Sequence, residues 1–170
     1  MRFILGIIVT LVVLACAGLV WAFYGLVDVR ADQTPSRLEK SLAGKAMDAS
    51  VNRHAPSLHR SIEPNDSNLR EGMSLYRDKC AQCHGDPQTP ESKLTEYPPA
   101  PQFMTDHAGM PENQNFYIIK HGVRWTAMPG WEGLLSDDQI LQVTAFLSHM
   151  QQLPAAVDHE WKTASPRTGP

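Results

Sequence analysis

The chain has 170 residues, 42% hydrophobic and 19% charged, with a formal charge of -3 and a sequence pI of about 6.1. Those values exclude a disordered chain and a fibrous repeat, and the acidic balance excludes a general nucleic-acid binder, which carries a basic excess. The mean hydropathy of -0.29 excludes a multi-span membrane protein, and three cysteines are too few for a disulfide-stapled scaffold.

The averages hide a segregated chain. Residues 1–27 are a different material from the rest: from Phe3 to Val27 there are 25 residues without a charge. At about 1.5 Å per residue, a helix of that length crosses a hydrocarbon core of about 30 Å with some tilt. Two alternatives fit less well. A cleaved signal has a shorter apolar core and a small-residue cleavage site, whereas the run here is long and Val29-Arg30-Ala31 is a poor site. Val13-Leu14-Ala15-Cys16 loosely resembles a lipobox, but the residues after Cys16 stay apolar where a mature lipoprotein turns polar. We therefore expect a single-pass anchor that meets lipid through residues 3–27. Trp21, Phe23 and Tyr24 lie at one end, where amphipathic rings favour the interface.

Residues 28–65 are polar, with acids and bases nearly balanced. Thr34-Pro35 reads as a helix start, since proline suits the first helical position. Leu38, Leu42, Ala46 and Met47 then recur at helical spacing. The expectation is an amphipathic helix over Pro35–Asn52, followed by a linker from Ser57 to Asn65.

Residues 66–154 read as one small helical domain. Asn68, with Glu71 three positions on, fits a cap for a helix running through Leu69, Met73, Leu75 and Tyr76 to Cys83. Asp86 to Gly109 holds five prolines and no periodic pattern. A loop that long in a compact domain usually serves a site. Asn113 to His121 is a short helix stopped by Gly122. Ser136 and Gln139 form a capping box, and the helix behind it carries Ile140, Val143, Thr144, Phe146, Leu147 and Met150 before Pro154. No useful strand pattern appears, so the fold class is all-α. Residues 155–170 read as a loose tail in which Trp161 is the one candidate for docking.

Cys80-Ala81-Gln82-Cys83-His84 is the strongest chemical signal. Cys-x-x-Cys-His is the attachment pattern of covalent c-type haem. Two thiols three residues apart, at the end of a helix, reach two vinyl groups of one porphyrin. The next residue, His84, then stands where a proximal iron ligand belongs. A thioredoxin-like pair needs a βαβ setting, which is not readable here. A zinc site needs a second ligand pair, and this domain has no other cysteine. A plain disulfide leaves His84 unexplained.

The sixth iron position has several candidates: Met104, Met110, Met128 and Met150, and His107, His121, His149 and His159. Met150 and His149 end the last amphipathic helix and read as core and surface. Met104 and Met110 sit in the long loop and compete. Met128 has the best setting, in Thr126-Ala127-Met128-Pro129-Gly130-Trp131, because the following proline fixes the local backbone. Arg124, Trp125 and Trp131 flank it, as haem-edge residues or as ordinary packing and surface.

From Leu69 to Leu153 the sequence resembles the small single-haem class I c-type cytochromes. The resemblance rests on Gly72 and Tyr76 ahead of Cys80-x-x-Cys83-His84-Gly85, on His121-Gly122-Val123, on Met128-Pro129 and on the helix around Ala145-Phe146-Leu147. It implies one haem c bound through Cys80 and Cys83, with His84 as proximal and Met128 as distal iron ligand. It also implies first and last helices crossing near Gly72 and Phe146, and a loop-proline carbonyl that orients His84. Pro98, Pro99 and Pro101 all offer that carbonyl. The apolar segment and the polar arm lie outside the resemblance.

A haem ligated on both faces exchanges electrons and does little else. The implied function is single-electron transfer between respiratory-chain proteins, as a carrier or as the haem subunit of a larger membrane complex, without catalysis of its own. From Asp66 onward the chain has 13 acids against 8 bases, and the haem propionates add to that charge. Haem attachment occurs outside the cytoplasm, so the expected location is the bacterial inner membrane with the haem domain in the periplasm. The alternative is a haem enzyme or a gas or redox sensor with an open or labile sixth position.

Overall fold

The computed structural model describes residues 2–26, 28–30, 33–58, 60–92, 94, 97–106 and 108–165. His107, Met1, Val27 and residues 166–170 of the expected tail lie outside the described residues. All regular structure among the described residues is helical, in seven helices: α1 Arg2–Phe23, α2 Arg37–His54, α3 Asp66–Lys79, α4 Ala81–His84, α5 Glu112–His121, α6 Asp137–His149 and α7 Ala155–Thr163. β pairing is limited to two isolated bridges, Asp86 with Thr89 and Glu132 with Leu135.

The chain divides into two compact units, Met1–Gln33 and Thr34–Pro170. In the first, the 22 residues of α1 span about 33 Å. Apart from Arg2 and Thr10 its side chains are apolar, and none is buried, a pattern compatible with a membrane span. Thr10 satisfies its hydroxyl within the helix, donating to the Gly6 carbonyl at 3.0 Å.

In the second unit the core forms where α3 crosses α6. Gly72 makes that crossing possible. A Cβ there would lie 2.1 Å from the Gln142 carbonyl oxygen and 2.9 Å from the Phe146 Cβ. Tyr76 and Phe146 are wholly buried beside this point, with ring centroids 5.6 Å apart. Leu69, Ile140 and Val143 fill the same core.

Helix ends follow their capping chemistry, with shifts from expectation. The Ser136–Gln139 capping box is present in full. For α3 the cap is Asn65, whose side chain accepts from the Asn68 amide at 3.0 Å, so Asn68 lies inside the helix. For α2 the cap is Ser36, accepting from the Glu39 amide at 3.1 Å, so Pro35 precedes the helix. In both cases a better side-chain acceptor stands near the expected start. The helix expected to run to Cys83 instead breaks at Cys80, and the four-residue α4 restarts it.

Two expectations about the flanks need correction. Residues 155–163 are helix α7, not a loose tail, and Val157 and Trp161 are buried. Trp161 stands edge-on to Phe146 at 5.2 Å and to Tyr76 at 5.8 Å. Arg70 Nε donates to both Glu160 carboxylate oxygens at 2.9 Å. Two apolar residues four apart suffice to dock a short helix when one of them is tryptophan. The arm, in turn, belongs to the compact unit. Its buried residue is Val51, while Leu38 and Leu42 are 69% and 60% exposed. The packed face of α2 is therefore the one carrying Met47 and Val51.

Candidate haem centre

A cavity of about 500 Å³ opens between α3, α4, α5 and the two long loops. Its size falls within the ordinary range of cofactor sites, roughly 300–1,000 Å³. Cys80, Cys83 and His84 line it, as do Met128 and Pro129. Ile118 and Ile119 of α5, Leu147 of α6, Val123 and Trp131 supply apolar wall. The donor set is thus two thiols, one imidazole and a thioether in an apolar enclosure, which fits a covalently attached haem.

The attachment segment is rigidly held. The Cys83 and His84 amides both donate to the Cys80 carbonyl, at 3.1 and 3.0 Å. The buried Tyr76 hydroxyl donates to the Gly85 carbonyl at 2.8 Å. No disulfide joins Cys80 to Cys83. Burial first, then the neighbouring Cys83 and Asp78, pushes the Cys80 thiol up to about 12, so it stays protonated at neutral pH.

His84 is fixed on two sides. Its ring stacks on Phe103, with centroids 4.6 Å apart and planes 5° from parallel. Its Nδ1 lies 2.8 Å from the Pro101 carbonyl oxygen. A carbonyl only accepts, so Nδ1 carries the proton and Nε2 the lone pair that a metal needs. Among the three loop prolines, Pro101 therefore supplies the orienting carbonyl.

Gln102 clamps this loop in place. Its Nε2 donates to the Cys83 carbonyl at 2.9 Å and to the Ala100 carbonyl at 2.7 Å, and its Oε1 accepts from the Ser92 amide at 2.7 Å. The Phe103 amide donates to the His84 carbonyl at 3.0 Å. Sequence reading marked the loop as site-serving but missed Gln102 and Phe103. The loop's length and its prolines were the available signal.

Met128 is half-buried on a loop pinned to the end of α5. Gly122 closes that helix at φ 70°, where a Cβ would lie 2.7 Å from the Met128 carbonyl oxygen. The Val123 amide then donates to that oxygen at 3.2 Å, and the Met128 amide donates to the Thr126 hydroxyl at 3.0 Å. The Trp131 amide returns to the Ile119 carbonyl at 3.1 Å.

Of the competing ligands, Met110 also lines the cavity, whereas Met104 and Met150 pack against the hydrophobic core. His121 instead stands on Tyr117, 4.9 Å between centroids, with Nδ1 3.4 Å from a Glu132 oxygen. His149 donates from Nδ1 to the Ala145 carbonyl at 2.9 Å, and His159 is exposed on α7. Trp131 is half-buried against the cavity, whereas Trp125 is 90% exposed and holds a left-handed φ of 64°, uncommon for a bulky residue.

Residues 67–147, just under half of the chain, match the family model described as cytochrome C oxidase, cbb3-type, subunit III. A solved structure of a reducing HAO-like protein complex from Kuenenia stuttgartiensis is similar at 20% identity with a TM-score of 0.43. The similarity covers 58% of this chain and 50% of that one, so this chain spans about half of it. No curated protein matches the chain. The matched segment is a cytochrome c domain of all-helical fold, and the apolar N-terminal helix of the chain fits membrane anchoring. Such a domain holds haem and serves electron transport.

Proposed function

We propose that this protein is a membrane-anchored, single-haem electron carrier, or the haem subunit of a respiratory oxidoreductase complex, with its haem domain in the periplasm. One haem c is attached through Cys80 and Cys83, His84 is the proximal iron ligand and Met128 the distal one. The carrying observation is the His84 imidazole, stacked on Phe103 and hydrogen-bonded to Pro101 in the same apolar cavity as both thiols and the Met128 thioether. Bound there, haem supplies one-electron redox chemistry. The chain's own part is to hold the imidazole in one tautomer, present a thioether from a braced loop, and exclude water with Ile118, Ile119 and Leu147. The description of the matching family as an oxidase subunit supports the complex-subunit reading. The length and apolar composition of α1, enough to span a bilayer, support membrane residence with lipid contact through residues 3–27.

The test is a haem-stained denaturing gel of carbonate-washed membranes. A stained band of full-chain mass in the pellet is the expected result. Replacing both Cys80 and Cys83 with Ala should remove the stain and leave the polypeptide band, because thioether bonds need thiols. Stain that survives the double replacement, or a stained protein released by the wash, contradicts the reading.

A further inference from the structure

The arm helix α2 lies outside the cytochrome resemblance and outside the matched segment, yet it reaches the haem cavity. Met47 lines that cavity directly. One turn on, Val51 is 5% exposed, the buried residue of α2. Beyond it, the Gln114 side-chain amide of α5 donates to Asn52 Oδ1 at 2.6 Å, and His54 stacks on Tyr117 of α5 at 6.4 Å. Further along the arm, Arg60 pairs with Asp138 at the start of α6. Leu58 and Ile62 pack on the core. The helix therefore packs on α5 and lines one side of the cavity. Although Leu38 and Leu42 stay in solvent, the packing of Met47 and Val51 is unlike that of a spacer, which would leave every apolar residue exposed.

We propose that α2 is a wall of the haem pocket, with Met47 as the residue that shields the haem from water on the α5 side. The inference rests on the proposed haem centre. Burial of a haem in apolar surroundings disfavours the more highly charged ferric state, so a dry wall raises the reduction potential. Met47 acts on the potential by excluding water, and the flexible thioether chain suits it to an irregular gap.

The experiment is a redox titration of the full-length haem-loaded protein in detergent, paired with limited trypsin digestion. Met47→Gln keeps the size of the side chain but brings a polar amide into the wall. It should lower the midpoint, so that at the wild-type midpoint the ferric-to-ferrous ratio rises several-fold. Met47→Leu should hold the midpoint, because the wall stays apolar. Leu42→Gln, on the exposed face of the same helix, should change nothing. Trypsin should cut wild type slowly at Lys45 and Arg53, and cut Met47→Gln and the haem-free Cys80→Ala/Cys83→Ala protein several-fold faster. A Met47→Gln protein with the wild-type midpoint and wild-type cleavage rate overturns the proposal. Loss of the methionine–iron absorption band in Met47→Leu also overturns it, since Met47 would then be a ligand rather than a wall. Absence of covalent haem from wild type is a separate failure, of the haem centre itself.

Discussion

His84 donates its Nδ1 proton to the carbonyl oxygen of Pro101, 2.8 Å away and seventeen positions on in the chain. Among its described residues the intervening loop has no helix or strand, and Gln102 holds it. Truncating Gln102 to Ala removes three hydrogen bonds, to Ser92, Ala100 and Cys83. We expect a loss of about 1–3 kcal/mol, given about 1 kcal/mol per bond and some rescue by water. Chemical denaturation measures it. The haem absorption of the folded variant should also broaden, as the imidazole loses a single orientation. A variant as stable as wild type would mean that Pro101 is placed by other contacts.

Two glycines should respond in opposite directions to the same substitution. Gly72→Ala forces a Cβ to 2.1 Å from the Gln142 carbonyl, so α3 and α6 must separate. A cost of about 1–3 kcal/mol, or failure to fold, follows from overpacking. Gly44→Ala on α2 meets nothing within 4 Å. It should stabilise the protein by about 0.5–1 kcal/mol, because alanine loses less backbone entropy in a helix. Thermal unfolding of the two variants side by side checks both signs.

The Cys-x-x-Cys-His motif and the Met-Pro pair stand out in the sequence because five and two adjacent residues carry them, and the structure brings both to one cavity. The α3–α6 crossing was legible for a related reason, since a glycine inside a helix has few other uses. The choice of Pro101 was not legible, because three prolines in four positions differ only in where the folded loop aims their carbonyls. The role of α2 was hidden by its own pattern. Leu38 and Leu42 look like its packing face, yet both are exposed, and the contacts go to Met47 and Val51. Helix α7 was missed because its apolar content is two alanines, Val157 and Trp161, and only docking on Tyr76 and Phe146 makes that enough. Each miss is a long-range contact that no local pattern records.

Lys120 in the last turn of α5 donates to Asp137 in the first turn of α6 at 2.8 Å, bracing the loop that carries Met128. That hydrogen bond holds the ammonium above the usual lysine range, against the opposing effect of burial. A raised folded value means that the contribution is whole below the unfolded value of about 10.4 and is lost as pH climbs through the folded one. Stability should therefore decline on the alkaline side, and Asp137→Asn should lower stability at neutral pH while flattening that decline. Denaturation midpoints measured across the alkaline range give the answer. Parallel pH curves for the two proteins would show that the pair plays no part.

The haem centre is tested most directly by the Met128→Ala protein, examined by absorption spectroscopy and carbon monoxide binding. The account predicts that haem stays covalently attached, that the methionine–iron band of the ferric protein disappears, and that carbon monoxide binds the ferrous protein readily. The potential should fall, because a thioether ligand favours the ferrous state over water or nitrogen ligands. His121 is held between Tyr117 and Glu132 and should not replace the lost ligand. A Met128→Ala protein with the spectrum, potential and carbon monoxide response of wild type would contradict the account and turn attention to Met110, which shares the cavity.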